Sequence, residues 1–401
     1  MLLWFLPLFL VLIMIGLPVV FALLASPFAL IMLEGDNRNV VAGLYRNLYN
    51  GMDSFPLMAL PFFMLAGEIM NRGGITLRLV EFAQAFMGHL RGGLAHVNIL
   101  SSMLFAGLSG SAVADTSAIG STMIPAMEKN GYTRKFAAAV TAASSVIGPI
   151  IPPSGIMIIY AYVMGESVAA LFLAGIVPGI LVGVGLMVMV RLLADRYDLP
   201  KAERIVKSDQ QISPLEHWVS FVLLRINLAA VLLLVYQGVK TLLAGSIEIS
   251  INNWLIMLVL LPVAHFILMA QRKRVSHDFR MVCKRAVAPL QTPIIILGGI
   301  FGGFVTATEA AGLAVLAAIG VGIWYREVDF RQLHRAMLEG GMQTAVVMVL
   351  VAASVLMGGF LTRAQIPQEL AAQMVAFTDS KYLILLILNV FFLVIGFFLH
   401  S

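Results

Sequence analysis

The sequence predicts an all-α polytopic membrane protein made of inverted structural repeats, with re-entrant helical hairpins and broken helices. Three observations predict it: an apolar composition, a series of hydrophobic runs of membrane-crossing length, and two places where glycine, serine and proline interrupt those runs. Of 401 residues, 60% are hydrophobic and 12% charged, and the mean hydropathy is +0.95. A water-soluble domain of this size could not cover itself with so few polar side chains.

Apolar runs of about 20 residues, the length that crosses a bilayer, fall near 1–33, 54–70, 93–110, 136–163, 168–194, 220–245, 254–270, 290–325, 341–361 and 380–400. The first is apolar from residue 2 and reaches its first basic residue at Arg38. It lacks the charged start and cleavage site of a secretory signal, so it is read as a span. Residues 78–90 have the spacing of an amphipathic helix and suit an interfacial arm.

The first interruption is Ser109-Gly-Ser111, between an apolar stretch from Val97 and another from Ala112 to Pro125. Each stretch is too short to cross alone, so residues 97–125 are expected to turn back within the membrane. The tip of such a hairpin exposes the carbonyls of one helix end and the amides of the next, beside the hydroxyls of Ser109 and Ser111. Oxygens of this kind hold a sodium ion, and amides hold an anion. Asp115 is the only carboxylate between Arg91 and Glu128. An acid inside a membrane is costly enough to suggest function, although an N-cap role for Asp115 fits the spacing equally.

The second interruption is Gly148-Pro-Ile-Ile-Pro-Pro-Ser154, between the apolar stretches 136–147 and 155–164. Each proline removes a donor and frees a carbonyl one turn earlier, and freed carbonyls suit a small hard cation. The helix 136–164 is therefore expected to be broken. Breaks of this kind survive in hydrocarbon only where protein or a wet cavity surrounds them.

After residue 194 comes a polar connector carrying both signs of charge, then two further apolar runs divided by Ser250-Ile-Asn-Asn253. An inserted pair of spans returns the chain to the side it left. The densest basic cluster, Arg272, Lys273, Arg274, Arg280, Lys284 and Arg285, is placed in the cytoplasm by the excess of Lys and Arg found there. Sliding the chain against itself at an offset of 291 aligns Phe63–Gly67 with Ser354–Gly358, Arg72 with Arg363 and Ile75 with Ile366. This divides the chain into a first repeat, 1–194, a connector with two inserted runs, 195–285, and a second repeat, 286–401. On this scheme the loop Arg326–Arg335 falls outside despite its arginines, which opposes the charge rule. The offset also sends residues 111–190 beyond position 401, so the second repeat is expected to be incomplete.

Several other chemistries are disfavoured. Cys283 is the only cysteine, which excludes an internal disulfide or a thiolate metal cluster. The basic residues flank spans and form no face suited to nucleic acid. Gly107-Leu-Ser-Gly110 matches the surroundings of an intramembrane serine nucleophile, but the base it needs could come only from His265 or His400, and neither has a context that brings it close. Glu68, and Glu309 in Thr306-Ala-Thr-Glu309, are read as structural, and His96 as interfacial.

Leu60-Pro-Phe-Phe-Met-Leu-Ala-Gly-Glu-Ile-Met70, Ser109–Asp115, Gly148–Ser154 and Thr306–Ala310 together resemble, in order, the large membrane subunit of the tripartite ATP-independent periplasmic (TRAP) transporters. The resemblance implies a permease and not an enzyme: an elevator-type, sodium-coupled importer of small organic acids in the bacterial inner membrane. Its partners would be a small four-helix membrane subunit and a periplasmic substrate-binding protein. Carried onto this chain, it implies sodium ligands at Ser109, Gly110, Ser111, Gly148 and Pro149, and substrate contacts at Ser111, Ala112, Asp115, Pro152, Pro153 and Ser154. The inserted runs near 218–270 and the end at Ser401 depart from the family pattern, so the chain as given is expected not to transport. The alternative is a channel or a non-transporting membrane scaffold.

Overall fold

The computed structural model describes residues 2–33, 43, 46, 48–200, 214–243, 253–272, 275–363, 365–378 and 380–398, and every regular element among them is helical. The chain forms two compact units, residues 1–57 with 342–401, and residues 58–341. The sequence expectations for Glu34 to Arg38, the Ser250–Asn252 divider and His400 fall outside the described residues.

The first unit opens with α1 (Leu2–Met14) and α2 (Val19–Leu33). The N-terminal run is thus two helices: Gly16 has φ +92°, and Pro18 follows it, so the helix cannot continue. The second unit holds α3 (Ala59–Arg72), α4 (Ile75–Met87), α5 (Gly93–Ser109), α6 (Ala112–Lys129), α7 (Arg134–Ser145), α8 (Gly155–Met164), α9 (Val168–Leu193), α10 (Pro214–Leu243), α11 (Asn253–Arg272), α12 (His277–Phe301) and α13 (Ala307–Trp324). Helix α14 (Phe330–Arg363) begins there and continues into the first unit, followed by α15 (Ile366–Phe377) and α16 (Lys381–Phe398). In the first unit Leu30 and Ile31 of α2 join Leu356, Met357 and Phe360 of α14 in a buried core, with Leu8 and Phe9 of α1 against it.

Among the described residues five helical stretches are long and apolar enough to cross a membrane: Val168–Leu193, Glu216–Leu233, Leu255–Arg272, Ala307–Trp324 and Phe330–Arg363. Within the second unit α3 packs on α13. The buried face of α13 carries Ala310, Ala314 and Ala318 at one-turn spacing, side chains small enough for close helix approach. Thr306 and Glu309 close a capping box at the start of α13. Glu309 Oε2 accepts the Thr306 N–H at 2.7 Å, and Thr306 Oγ1 accepts the Glu309 N–H at 3.3 Å, so this motif has the structural role expected of it. Glu68 likewise pairs with Arg72 at 2.8 Å.

The run 290–325, read as one crossing, is two helices. It breaks at Gly302–Thr306, where Gly303 has φ +70°. Tyr325, just past α13, donates its hydroxyl to the carbonyl of Arg285 near the start of α12 at 3.3 Å, so the pair is a hairpin that returns to its origin. The loop from Arg326 therefore lies on the side of the basic cluster, and its conflict with the charge rule disappears. Helix α4 docks at the same edge. Its amphipathic pattern is real, but Arg78 is turned into the protein: it pairs with Glu327 through two bonds of 2.8 and 2.6 Å and stacks 3.8 Å above the Tyr325 ring. Arg285 reaches Glu81 at 3.5 Å.

The segment 195–200 fixes a second set of ends. Arg91 pairs with Asp195, the Gly92 N–H donates to the Pro200 carbonyl at 3.1 Å, and Phe136 lies 5.4 Å from Tyr197, ring to ring. The start of α5, the start of α7 and the end of α9 therefore share one edge. Helices α5 and α6 leave that edge and come back to it, with their turn at Gly110–Ser111 inside. The 17 residues of α5 reach about 25 Å at 1.5 Å per residue, less than the roughly 30 Å hydrocarbon core. His96, expected at an interface, is buried near the start of α5 because that end of the helix is covered by protein.

Two helix boundaries recur 291 residues apart. Helix α3 ends at Arg72 and α14 at Arg363, and α4 and α15 begin at Ile75 and Ile366. The residues before those starts, Gly74 and Gln365, both adopt the left-handed conformation, with φ +63° and +53°.

Cys283 lies in the polar first turns of α12, ahead of its apolar stretch, and burial pushes its thiol up to about 11. Since the thiolate is the reactive form, labelling by a membrane-impermeant maleimide should rise about 100-fold between pH 7 and 9 without levelling. It should also require access to the cytoplasmic face. A plateau near pH 8.5, or labelling in intact cells, would contradict the burial or the sidedness.

Candidate functional site

The hairpin tip and the break between α7 and α8 meet. Gly110 ends α5 with φ +60°, and a Cβ there would stand 2.5 Å from the Pro153 carbonyl oxygen and 3.2 Å from the Ser154 Cα. At Gly148 a Cβ would stand 2.7 Å from Asp115 Oδ2, and 3.1 Å from both the Ser111 carbonyl carbon and the Ser145 carbonyl oxygen. Only glycine permits either approach, one forbidden to side chains by conformation and space, the other by space alone.

Two half-helices begin at this junction. Ser111 and Ser154 are both extended, with φ/ψ of −133°/123° and −125°/124°. Their side chains accept the N–H of Ala114 at 3.4 Å and of Met157 at 3.3 Å. Ser111, not Asp115, caps α6, so the capping alternative for Asp115 fails. Asp115 is instead fully buried one turn into α6, beside Gly148. Gly110, Gly148, Pro152, Pro153 and Ser154 are buried, while Ser111, Ala112 and Pro149 are half-buried. The side chain of Ser109 lies outside the described residues. Asp115, grouped with the substrate contacts by resemblance, is thus held against a residue grouped with the sodium ligands.

Below the junction runs a polar ladder that the sequence reading missed. Asn98 donates to Thr141 Oγ1 at 2.7 Å and to Met127 Sδ at 3.7 Å, so one amide bridges α5, α6 and α7. Ser144 donates to Asn98 Oδ1 at 3.3 Å, and the Ser102 and Ser144 hydroxyls lie 2.9 Å apart. All four side chains are buried. A signal was present: Asn98-x-x-Ser101-Ser102 and Thr141-x-x-Ser144-Ser145 repeat one pattern, a polar stripe on one face of each helix.

Helix α9 backs the junction with glycines at four-residue spacing. A Cβ at Gly175 would stand 2.5 Å from the Ile150 carbonyl oxygen. Gly179 and Gly183 have no room for a Cβ beside Ile151 and Met103. This is the small-xxx-small pattern of close membrane helices, and it too went unread.

The oxygens around Gly148 are a carboxylate, a backbone carbonyl and nearby hydroxyls, a hard donor set suited to a hard cation. Among the described residues no three His, Cys, Asp or Glu side chains converge on a metal position. His265, the described candidate base for serine chemistry, accepts a hydrogen bond from Arg225 Nε at 2.9 Å and is committed to the α10–α11 pair.

Comparison with known proteins gives a consistent result. The profile of the family described as the tripartite ATP-independent periplasmic transporter, DctM component, matches residues 6–401. Protein YgiK of Salmonella typhimurium is 34% identical over 98% of this chain and 74% of its own length. The sialic acid TRAP transporter large permease protein SiaM of Vibrio cholerae is 32% identical over 96% of this chain and 74% of its own. The 2,3-diketo-L-gulonate TRAP transporter large permease protein YiaN of Escherichia coli is 33% identical over 95% and 73%.

Two stability predictions follow from the junction's surroundings. Asn98→Leu removes the contacts to Thr141, Met127 and Ser144 and should cost about 1–2 kcal/mol at the scale of interhelical polar contacts in a membrane protein, lowering the melting temperature in detergent; an unchanged melt would mean that the ladder contributes nothing. Gly175→Leu should cost about 1–3 kcal/mol by overpacking, whereas Gly185→Leu, where a Cβ meets nothing within 4 Å, should be tolerated. Equal effects of the two in the same assay would refute close seating of α9 on the break.

Proposed function

The chain belongs to the DctM family of TRAP transporters, multi-pass proteins of the bacterial inner membrane, and from that premise we propose that it carries a small organic acid inward, coupled to sodium entry. It would do so as the large permease subunit, with a small four-helix membrane subunit and a periplasmic substrate-binding protein. The named relatives carry sialic acid and 2,3-diketo-L-gulonate, both carboxylates, which supports a carboxylate substrate.

The observation that carries the reading is the meeting of the Gly110–Ser111 tip with the Gly148–Ser154 break beside a fully buried Asp115. A carboxylate removed from water is stable only when neutralised or well bonded. A cation at the tip would supply that charge, held by the Ser111 hydroxyl and by carbonyls at the tip and of the Ser145–Pro149 turn, with Ser109 at the end of α5 as a further oxygen source. The amide-bearing starts of α6 and α8, at Ser111, Ala112 and Ser154, offer positive dipole ends to a substrate carboxylate. Pro152 and Pro153 give the adjoining wall no amide donor. The shared 291-residue offset of α3–α4 and α14–α15 supports a repeat architecture, and with it elevator movement of one part of the fold against another. Each sodium entering gains about 2.3 kcal/mol per 100 mV, which drives accumulation of the acid.

Sodium binding can be read on this chain without transport. Sodium at about ten times its Kd should stabilise the purified protein by about 1.4 kcal/mol, where potassium or choline does not. Ser111→Ala and Gly148→Leu should each abolish the shift while leaving membrane insertion intact. No sodium-specific stabilisation at any concentration, or an undiminished shift in both variants, would remove the tip as the ion site.

A further inference from the structure

Helices α10, α12 and α13 enclose a groove of about 250 Å³ whose lining includes Ser220, Gln291, Ala317, Gly320 and Trp324, and whose exposed surface is almost wholly apolar. One end is closed by the first turns of α12. Ser220 donates to the Lys284 carbonyl at 3.0 Å, and Tyr325, also in the lining, donates to the Arg285 carbonyl. A crowd of cations stands at that end. The Lys284 ammonium lies 2.5 Å from His217 Nε2. It is held below its usual range by burial and then by repulsion from Arg280, Arg272 and Arg225. Among the described residues Arg280 Nε is buried with no hydrogen-bond partner, and Arg225 donates to His265 Nδ1 and stacks on Phe221. One acid, Glu216, lines the groove, in contact with Tyr325.

Cations that repel one another call for an anion, and an apolar groove opening from them calls for hydrocarbon. A free anion satisfies the first alone, and an apolar helix of a partner the second alone. We propose that this is a binding site for an anionic glycerophospholipid: the phosphate sits among Arg280, Lys284 and Arg272, and an acyl chain lies in the groove between α10 and α13. Basic pockets between membrane helices at the cytoplasmic side recognise headgroups in this way.

The test is lipid retention and exchange on the full chain, read by native mass spectrometry after reconstitution into nanodiscs of phosphatidylcholine with phosphatidylglycerol as the minor component. One phosphatidylglycerol should be retained in preference to phosphatidylcholine, and excess inorganic phosphate should not displace it. Arg280→Gln with Lys284→Gln should weaken retention about thirty-fold, roughly five-fold for each basic contact. Gly320→Leu, at a position where a Cβ meets nothing within 4 Å, should fill the groove and abolish retention with every charge in place. Arg331→Gln with Arg335→Gln should change nothing. Equal retention of both lipids by the unaltered chain would overturn the proposal, as would competition by phosphate with Gly320→Leu silent. Binding of the small membrane subunit that depends on the same cations, with no retained lipid, would make the patch a protein interface and equally refute it.

Discussion

Every backbone amide and carbonyl within an apolar slab needs a partner, and the fold of the second unit follows from where that requirement is hardest to meet. Four helix ends come together at one place: the end of α5, the start of α6, the end of α7 and the start of α8. Each helix end leaves unsatisfied groups, and here they are gathered rather than scattered. Ser111 and Ser154 satisfy one amide apiece with the same backbone geometry. Gly110 and Gly148 let the two breaks approach to a distance that any side chain would forbid. The arrangement concentrates free carbonyls and dipole ends in one volume, and that volume is the candidate site.

Polar contacts change character with depth. Between α5, α6 and α7 they are neutral: an asparagine amide, a threonine and two serines. At the edges they are ionic, as in Arg78 with Glu327 and Arg285 with Glu81. The division follows from desolvation, since burying an ion pair costs several kcal/mol per ion, whereas hydroxyls and amides satisfy one another at small cost. Asp115 is an ionisable side chain fully buried at the junction, against the trend, and that exception draws the site to it.

Much of this was legible in the sequence. The glycine and proline breaks could be read because they violate helix formation locally, and the helices are interrupted at both. Thr306 and Glu309 were legible because a capping box is a four-residue motif. What escaped was encoded across elements. Asn98 and Thr141 are each unremarkable in an apolar run, and only folding shows that their stripes face one another. Gly175, Gly179 and Gly183 declare close packing but do not name Ile150, Ile151 and Met103 as what they pack against. The break at Gly302–Thr306 was half legible: Thr306–Glu309 reads as a helix entry, yet the surrounding residues are apolar enough that 290–325 was counted as one crossing.

That overlooked break alters more than a helix count. With α12 and α13 as a hairpin, Glu81, Arg285, Tyr325 and Glu327 gather at one edge, and the chain leaves Trp324 on the side where α12 begins. Helix α9 provides the depth scale: it ends near the 195–200 segment, to which the starts of α5 and α7 are tied. Its glycines meet the break at Gly175 and Gly179, some 14 to 18 residues before its last residue, Leu193. At 1.5 Å per residue this is about 21 to 27 Å in from that edge. The hairpin and the half-helix α7 both reach that depth and stop, and α8, ten residues long, continues from there beside the first turns of α9. The junction thus lies unequally along α9, with α8 on its shorter side and the hairpin, α7 and most of α9 on its longer side.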